Sequence, residues 1–274
     1  MWISQHDIPN CNYRNKRGLP KGSTLKNNGS CPVTISNILR NSFGIDEMSP
    51  RFVAKIAFNT GSISQSGTDV KKTLNALKKI SGTFQYRIVT DFNAAKMALL
   101  NGDLVMASSH PDGDFNLFGD RNIYITLIDY IEQNSSVLIH DPNYNKNKPV
   151  KNKARKFNVF ETDCIGIFEV RESAISRVCD KYYIFTSIPM LSDVAPQYNI
   201  GAKYTVSKRV RIRKRPNMNS EFVKTTLGCN KTAVPGTEIY CLDVRNDHKG
   251  NIFIHAESGW ILAYDSDSKI IYVE

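Results

Sequence analysis

The sequence predicts an α+β protein: amphipathic helices first, then an antiparallel sheet, then a small all-β barrel. Three observations carry this. Apolar residues recur at helical spacing up to residue 100, fall into short runs bounded by turn residues from residue 104, and lose every helical period after residue 202. The 274 residues suffice for about two domains. We place them at 1–188 and 203–274, with a linker at 189–202 that contains Pro189, Pro196 and Gly201.

Residues 14–30 are rich in Asn, Gly and Lys and read as a surface loop. A helix follows Cys31 and Pro32, with Ile35, Ile38, Leu39 and Phe43 near helical spacing. Ser49-Pro50 is an N-cap followed by proline at the first helical position, opening a helix over Val53, Ile56 and Ala57. Thr68-Asp69 caps a third, with Val70, Leu74, Leu77 and Ile80 on one face and Gly82 at its end. A fourth runs from Ala94 to Leu100 and stops at Asn101-Gly102. Strands are expected at 104–107, 124–131, 137–139, 164–170 and 182–186, then at 204–206, 209–212, 238–244, 253–255 and 260–264. The closing series has the spacing of a small barrel.

Thirty-six basic against twenty-six acidic residues leave a net charge of +10, which favours an anionic partner: nucleic acid, a membrane surface or a cell-wall polyanion. Residues 142–156 carry six Lys or Arg and read either as a solvated loop or as an anion-binding patch. No zinc finger, helix-turn-helix or aromatic-basic RNA motif is present, so no nucleic-acid partner is expected. No apolar run reaches the roughly 18 residues of a membrane span. The N-terminus lacks a basic stretch followed by an apolar one, so no signal peptide is expected either. The six cysteines form no CxxC or Cys/His cluster. They read as mostly free buried thiols, with no metal and no cofactor implied.

The order Gln5-x-Asp7, Gly22-Ser23-Thr24, Gly29-Ser30-Cys31-Pro32-Val33-Thr34, Gly67-Thr68, Asn101-Gly102-x-Leu104-Val105 and Asp141-Pro142-Asn143 resembles the papain-fold cysteine peptidases related to bacteriocin-processing (double-glycine) peptidases. Val210-x-Ile212-Arg213-x-x-Pro216 and Gly259-Trp260-Ile261 resemble the opening and closing of a bacterial SH3-like wall-binding domain. Together the resemblances imply a papain-like domain joined to an SH3-like barrel. That is the layout of phage and bacterial enzymes that cut peptidoglycan peptides. They also imply a phage product, released to the cell wall at lysis or carried in the virion among virion proteins.

Such cleavage needs a thiolate, a histidine to activate it, a residue to orient the histidine and an oxyanion donor. Cys31 stands at a helix N-terminus, where the dipole favours a thiolate; the plainer reading is a small buried apolar residue. The resemblance makes Asp141 the orienting acid, against an ordinary Asp-Pro turn. It makes Gln5 the oxyanion donor, against a surface glutamine. The family's histidine would fall at Ile123, give or take one, and none lies there. His110 is the foremost replacement, ahead of His140 and His6; otherwise the site is degenerate.

On the second domain, Tyr204, Arg213, Tyr240 and Trp260 offer stacking and hydrogen bonds to glycan or cross-bridge peptide, while Trp260 also reads as a barrel core residue. The run Lys208-Arg209-x-Arg211-x-Arg213-Lys214-Arg215 reads as a contact for teichoic acid phosphates. Two functions follow as expectations: a peptidoglycan peptidase with Cys31 as nucleophile, or a non-enzymatic wall-binding or virion tail protein on the same fold.

Overall fold

The structure, a computed structural model, describes residues 2–8, 24–64, 67–82, 84–119, 121–145, 152–187, 190–191, 194–226 and 230–274. Cys11, Cys229, Gly22, Ser23, Pro189, most of the expected loop at 14–30 and Lys146, Lys148 and Lys151 lie outside the described residues.

The chain begins with helices α1 (Leu25–Asn28), α2 (Ser30–Phe43) and α3 (Pro50–Asn59). A short antiparallel pair follows, β1 (Ile63–Ser64) with β2 (Gly67–Thr68), and then α4 (Val70–Ser81). Next come β3 (Phe84–Val89), α5 (Phe92–Leu100), β4 (Leu104–Ser109), β5 (Ile123–Ile131) and β6 (Ser136–His140). The first part closes with α6 (Lys153–Asn158), β7 (Val159–Glu161), β8 (Ile167–Arg171), α7 (Glu172–Val178) and β9 (Cys179–Ser187).

Local chemistry sets the helix ends. The Ser49 hydroxyl accepts the Phe52 amide, with Pro50 in the first turn of α3, and the Asp69 carboxylate accepts the Lys72 amide at the start of α4. Gly44 ends α2 at φ 63°, a conformation that penalises any side chain, and an added Cβ would also stand 3.1 Å from the Pro235 carbonyl oxygen.

The strands form an antiparallel sheet in the order β3-β9-β4-β5-β6-β8-β7. Both faces are covered. Leu104, Met106, Ile128 and Phe185 meet α2, α3 and α4 through Ile35, Leu39, Val53 and Leu74. The alternate residues Val105, Ile125, Ile139 and Ile184 meet α5 and α7 through Ala95, Leu99, Ile175 and Val178. Burial on both sides explains why β4 and β5 read as nearly continuous apolar runs.

Several expectations need correction. The edge strand β3 interrupts the helical series, pairing with the distant β9. Short helices α6 and α7 were not anticipated, because six or seven residues give too little periodicity to read. Cys164 is exposed, and its carbonyl accepts the Ile167 amide in a turn, so the strand expected from 164 starts at Ile167. Ile80 lies beside the buried Val70-Thr73-Leu74-Leu77 stripe of α4 and is 52% exposed.

The second part is all β: β10 (Met190–Leu191), β11 (Lys203–Thr205), β12 (Val210–Arg213), β13 (Thr232–Ala233), β14 (Glu238–Tyr240), β15 (Asp243–Asn246), β16 (Ile252–Ala256), β17 (Gly259–Asp265) and β18 (Ile270–Ile271). Val206, Ile212, Phe253, Ile254 and Leu262 build its core. Strand β17 is the hub, paired with β12, β16 and β18. Strand β10 comes from the expected linker and pairs with β18, while β11 and β14 form a separate pair. Among the described residues no extended ladder joins that pair to the larger sheet, but an isolated Val206–Val273 bridge and reciprocal backbone bonds between Thr205 and Glu274 connect it to the segment after β18.

The basic run on β12 departs furthest from expectation. Arg211 is buried, and its Nη2 donates to Asp129 Oδ1 at 2.7 Å and to the Leu99 carbonyl in the first part. The other Asp129 oxygen accepts the Asn230 amide at 2.9 Å. Arg211 therefore ties the two parts together and does not face a solvent anion, and Arg209 beside it is half-buried. Removing one partner of a buried pair strands the other charge. Arg211→Met should lower the unfolding free energy by about 3–5 kcal/mol in urea titrations, with partial recovery in Arg211→Lys; an unchanged midpoint would refute this role.

Candidate functional site

The N-terminus of α2 is pinned to the start of β5. The Thr34 hydroxyl donates to the Tyr124 carbonyl at 2.9 Å, and the Tyr124 amide donates to the Ser30 hydroxyl at 3.4 Å. Gly29 lets α1 run directly into α2: a Cβ there would overlap the Leu25 carbonyl oxygen. These contacts place Cys31, in the first turn, against the sheet.

The Cys31 thiol is 3% exposed and packs with Ile35, Ile38 and Met106. Its hydrogen-bond partner is the Thr68 side chain, and burial outweighs that bond, pushing the thiol far above its ordinary range. At neutral pH it is protonated, and the helix dipole does not offset the desolvation. Tyr124 stands beside it, its hydroxyl bonded to Ser108, and burial together with the neighbouring thiol pushes the phenol up. Tyr183 packs edge-on to Tyr124 with ring centres 6.5 Å apart and is pushed up to about 12, mainly by burial. Among the described residues no imidazole hydrogen-bonds to the Cys31 sulfur.

His110 lies past the end of β4, where its amide donates to the Val178 carbonyl and its Nδ1 is 3.9 Å from Asp180 Oδ1. His140 is buried on the same sheet face as Leu138, stacked on Trp2 with ring centres 5.1 Å apart. Burial pushes it down to about 3, so it is neutral, and its Nδ1 has no hydrogen-bond partner among the described residues. His6 bonds through Nε2 to the Asn143 carbonyl at 3.0 Å.

Asp141 does not join Cys31. Its Oδ1 accepts the Asn143 amide at 2.9 Å, and its Oδ2 lies 3.9 Å from Arg155 Nη1. Arg155 in turn covers the Phe168 ring, on the face of the sheet turned away from α2. Burial pushes Asp141 up to about 6, opposed by Arg155 and the Asn143 amide. Gln5 is buried in a 3-10 turn (Gln5–Asp7). Its amide donates to the Pro142 carbonyl at 2.8 Å and its Nε2 to Asn143 Oδ1, so its donor is committed to the loop after β6. Of the four residues expected to act together, Gln5 and Asp141 share Asn143 as a hydrogen-bond partner, while Cys31 and His110 each bond elsewhere.

On the second part, Arg213 and Trp260 are direct cross-strand partners. Trp260 also opposes and stacks on His255, with ring centres 4.7 Å apart, while Arg213 covers Phe222 at 4.8 Å. Directly opposed residues share a face, so His255, Trp260, Arg213 and Phe222 form one half-buried row. His255 and Phe222 were missed because only strand register aligns them. Tyr240 is 59% exposed, whereas Tyr204 is half-buried against Tyr198 and its hydroxyl accepts the Asn199 amide. The described residues contain no His/Cys/Asp/Glu group arranged to hold a metal ion.

No protein-family profile and no curated protein matches the chain. Among solved structures, the peptidase domain of Streptococcus ComA, a bi-functional ABC transporter involved in a quorum-sensing pathway, aligns at 10% identity with a TM-score of 0.38. That alignment covers 62% of this chain and 98% of the other. Ly7917 with the hydrolysing product of MDP aligns at 12% identity and a TM-score of 0.21, covering 69% of this chain and 66% of that one.

Two outcomes follow. Iodoacetamide should label Cys164 in the native protein and reach Cys31 only on unfolding, as read by peptide mass spectrometry; equal labelling would contradict a sealed thiol. Asp141 titrates higher folded than the ordinary carboxylate value of about 4, so the folded state holds its proton longer. Its contribution is complete at low pH and is lost as pH rises through about 6. Asp141→Asn should flatten that window in urea titrations from pH 4 to 7, removing a slope worth up to about 3 kcal/mol.

Proposed function

We propose that this chain is a cell-wall-directed protein on a papain-like cysteine peptidase scaffold that has lost its general base, and that it binds peptidoglycan without cutting it. One observation carries the reading. Tyr124, within one residue of the position on β5 where the resembled peptidases put histidine, stands beside a thiol that is buried and protonated. General base catalysis is typically worth roughly a hundred- to ten-thousandfold, and a phenol pushed upward accepts no proton at neutral pH. Supporting the scaffold are a cysteine in the first turn of a helix laid across an antiparallel sheet, and the carboxylate that follows the next strand but one from β4.

Binding falls to the second part. The row His255-Trp260-Arg213-Phe222 offers ring faces and a guanidinium to a peptide or sugar, and the flanking Lys208, Lys214 and Arg215 supply charge for anionic wall polymers. An SH3-like wall-binding role in a phage lysin-like layout, at lysis or on a virion tail, is the setting this reading adopts.

The test uses full-length protein and purified bacterial walls, with co-sedimentation and released amino termini measured together. Wild type and Cys31→Ala should both co-sediment and release nothing. Trp260→Ala should weaken binding about tenfold or more, with circular dichroism confirming its fold. Release of amino termini that Cys31→Ala abolishes would restore the peptidase reading; absence of co-sedimentation would end the wall-binding one.

A further inference from the structure

Helices α3 and α4 flank an open groove of about 700 Å³ lined by Ile56, Ala76 and Ile80 together with Lys71, Lys72 and Lys79. Its size falls within the roughly 300–1,000 Å³ of small-molecule sites. We propose that this groove binds a single-chain anionic amphiphile, a hydrocarbon tail ending in a carboxylate.

The lining chemistry selects that class. Several of its remaining polar atoms already bond within the protein. The Thr60 hydroxyl bonds to the Ile56 and Ala57 carbonyls and to Ser62, Asn75 Oδ1 accepts the Tyr86 hydroxyl at 2.7 Å, and the Asp69 carboxylate caps α4. A peptide laid in the groove would need partners for its own N–H and C=O groups, and these side chains have little to offer it. A hydrocarbon tail needs none.

Charge decides the head group. None of the three lysines has a carboxylate within 4.0 Å among the described residues, so each ammonium is free to meet an incoming anion. The single acid of the lining, Asp69, caps α4 and leaves the three lysines in excess. Ile80, half exposed where the sequence expected it in the core, then has a use as one wall of the tail channel. The concave form between two helices suits one chain better than a bilayer surface, which presents no tail to a recess.

Titration of a dansyl-labelled undecanoate by fluorescence tests the site, with displacement by dodecanoate and by dodecyltrimethylammonium. Saturable binding is expected, displaced by the carboxylate and not by the cationic amphiphile. Ala76→Trp, which fills the groove from a half-buried position, should abolish it. Lys72→Glu combined with Lys79→Glu should weaken it roughly fivefold or more, more steeply at low salt. Circular dichroism and the urea midpoint check that both variants fold, and the charge pair keeps the test valid if Ala76→Trp does not. Equal displacement by both amphiphiles, binding indifferent to both variants, or sedimentation with phosphatidylglycerol vesicles in place of monomer binding would each overturn the proposal.

Discussion

The seating of α2 across β4 and β5 is the contact on which the rest of the first part depends. Ten of the fourteen residues of this helix are buried, and its first turn is held by the paired bonds of Ser30 and Thr34 to the Tyr124 backbone. The same seating that stabilises the fold determines the chemistry of Cys31. A helix N-terminus alone favours a thiolate by a modest amount, but desolvation of a thiol packed among Ile35, Ile38 and Met106 is larger and of opposite sign. Position along the helix promises reactivity, and burial removes it.

A second ionic constraint redistributes the charge of the chain. The excess of basic residues suggests an electropositive surface, yet the densest basic run spends its central members inside the molecule. Arg211 is held by Asp129 and Leu99 across the junction between the two parts, and Arg213 lies over Phe222. Asp129 can reach it because β5 is bulged between Leu127 and Asp129. Asp103, also at this junction, is pushed up to about 6 by burial, opposed by four nearby cations. Lys214 and Arg215 at the end of the run stay exposed, as do the lysines of α4.

Much of this architecture could be read in advance. Ser49-Pro50, Asp69 and Gly82 mark helix ends by local hydrogen bonds and allowed backbone angles, which act within a few residues. The apolar runs of β4, β5 and β6 announce strands, and the loss of helical period after residue 202 announces the all-β part. What escaped were elements too short or too isolated to show a pattern: α6, α7 and the edge strand β3, whose partner β9 lies almost a hundred residues on. For the site, the sequence located Cys31 at a helix start and found no histidine near Ile123. It did not separate Asp141 from Cys31, because which face a loop carboxylate selects depends on Arg155 and Phe168.

By itself, then, the sequence determined the α+β class, the helix caps, the position of Cys31 in a first turn and the absence of a base at the strand opposite. These follow from hydrogen bonds and periodicities that span a few residues. Only the tertiary structure decided that the thiol is sealed, that Tyr124 faces it, that Asp141 belongs to Arg155 and that Arg211 joins the two parts. Each of those is a matter of desolvation and of charges meeting across long sequence separations, and neither quantity exists until the chain has folded.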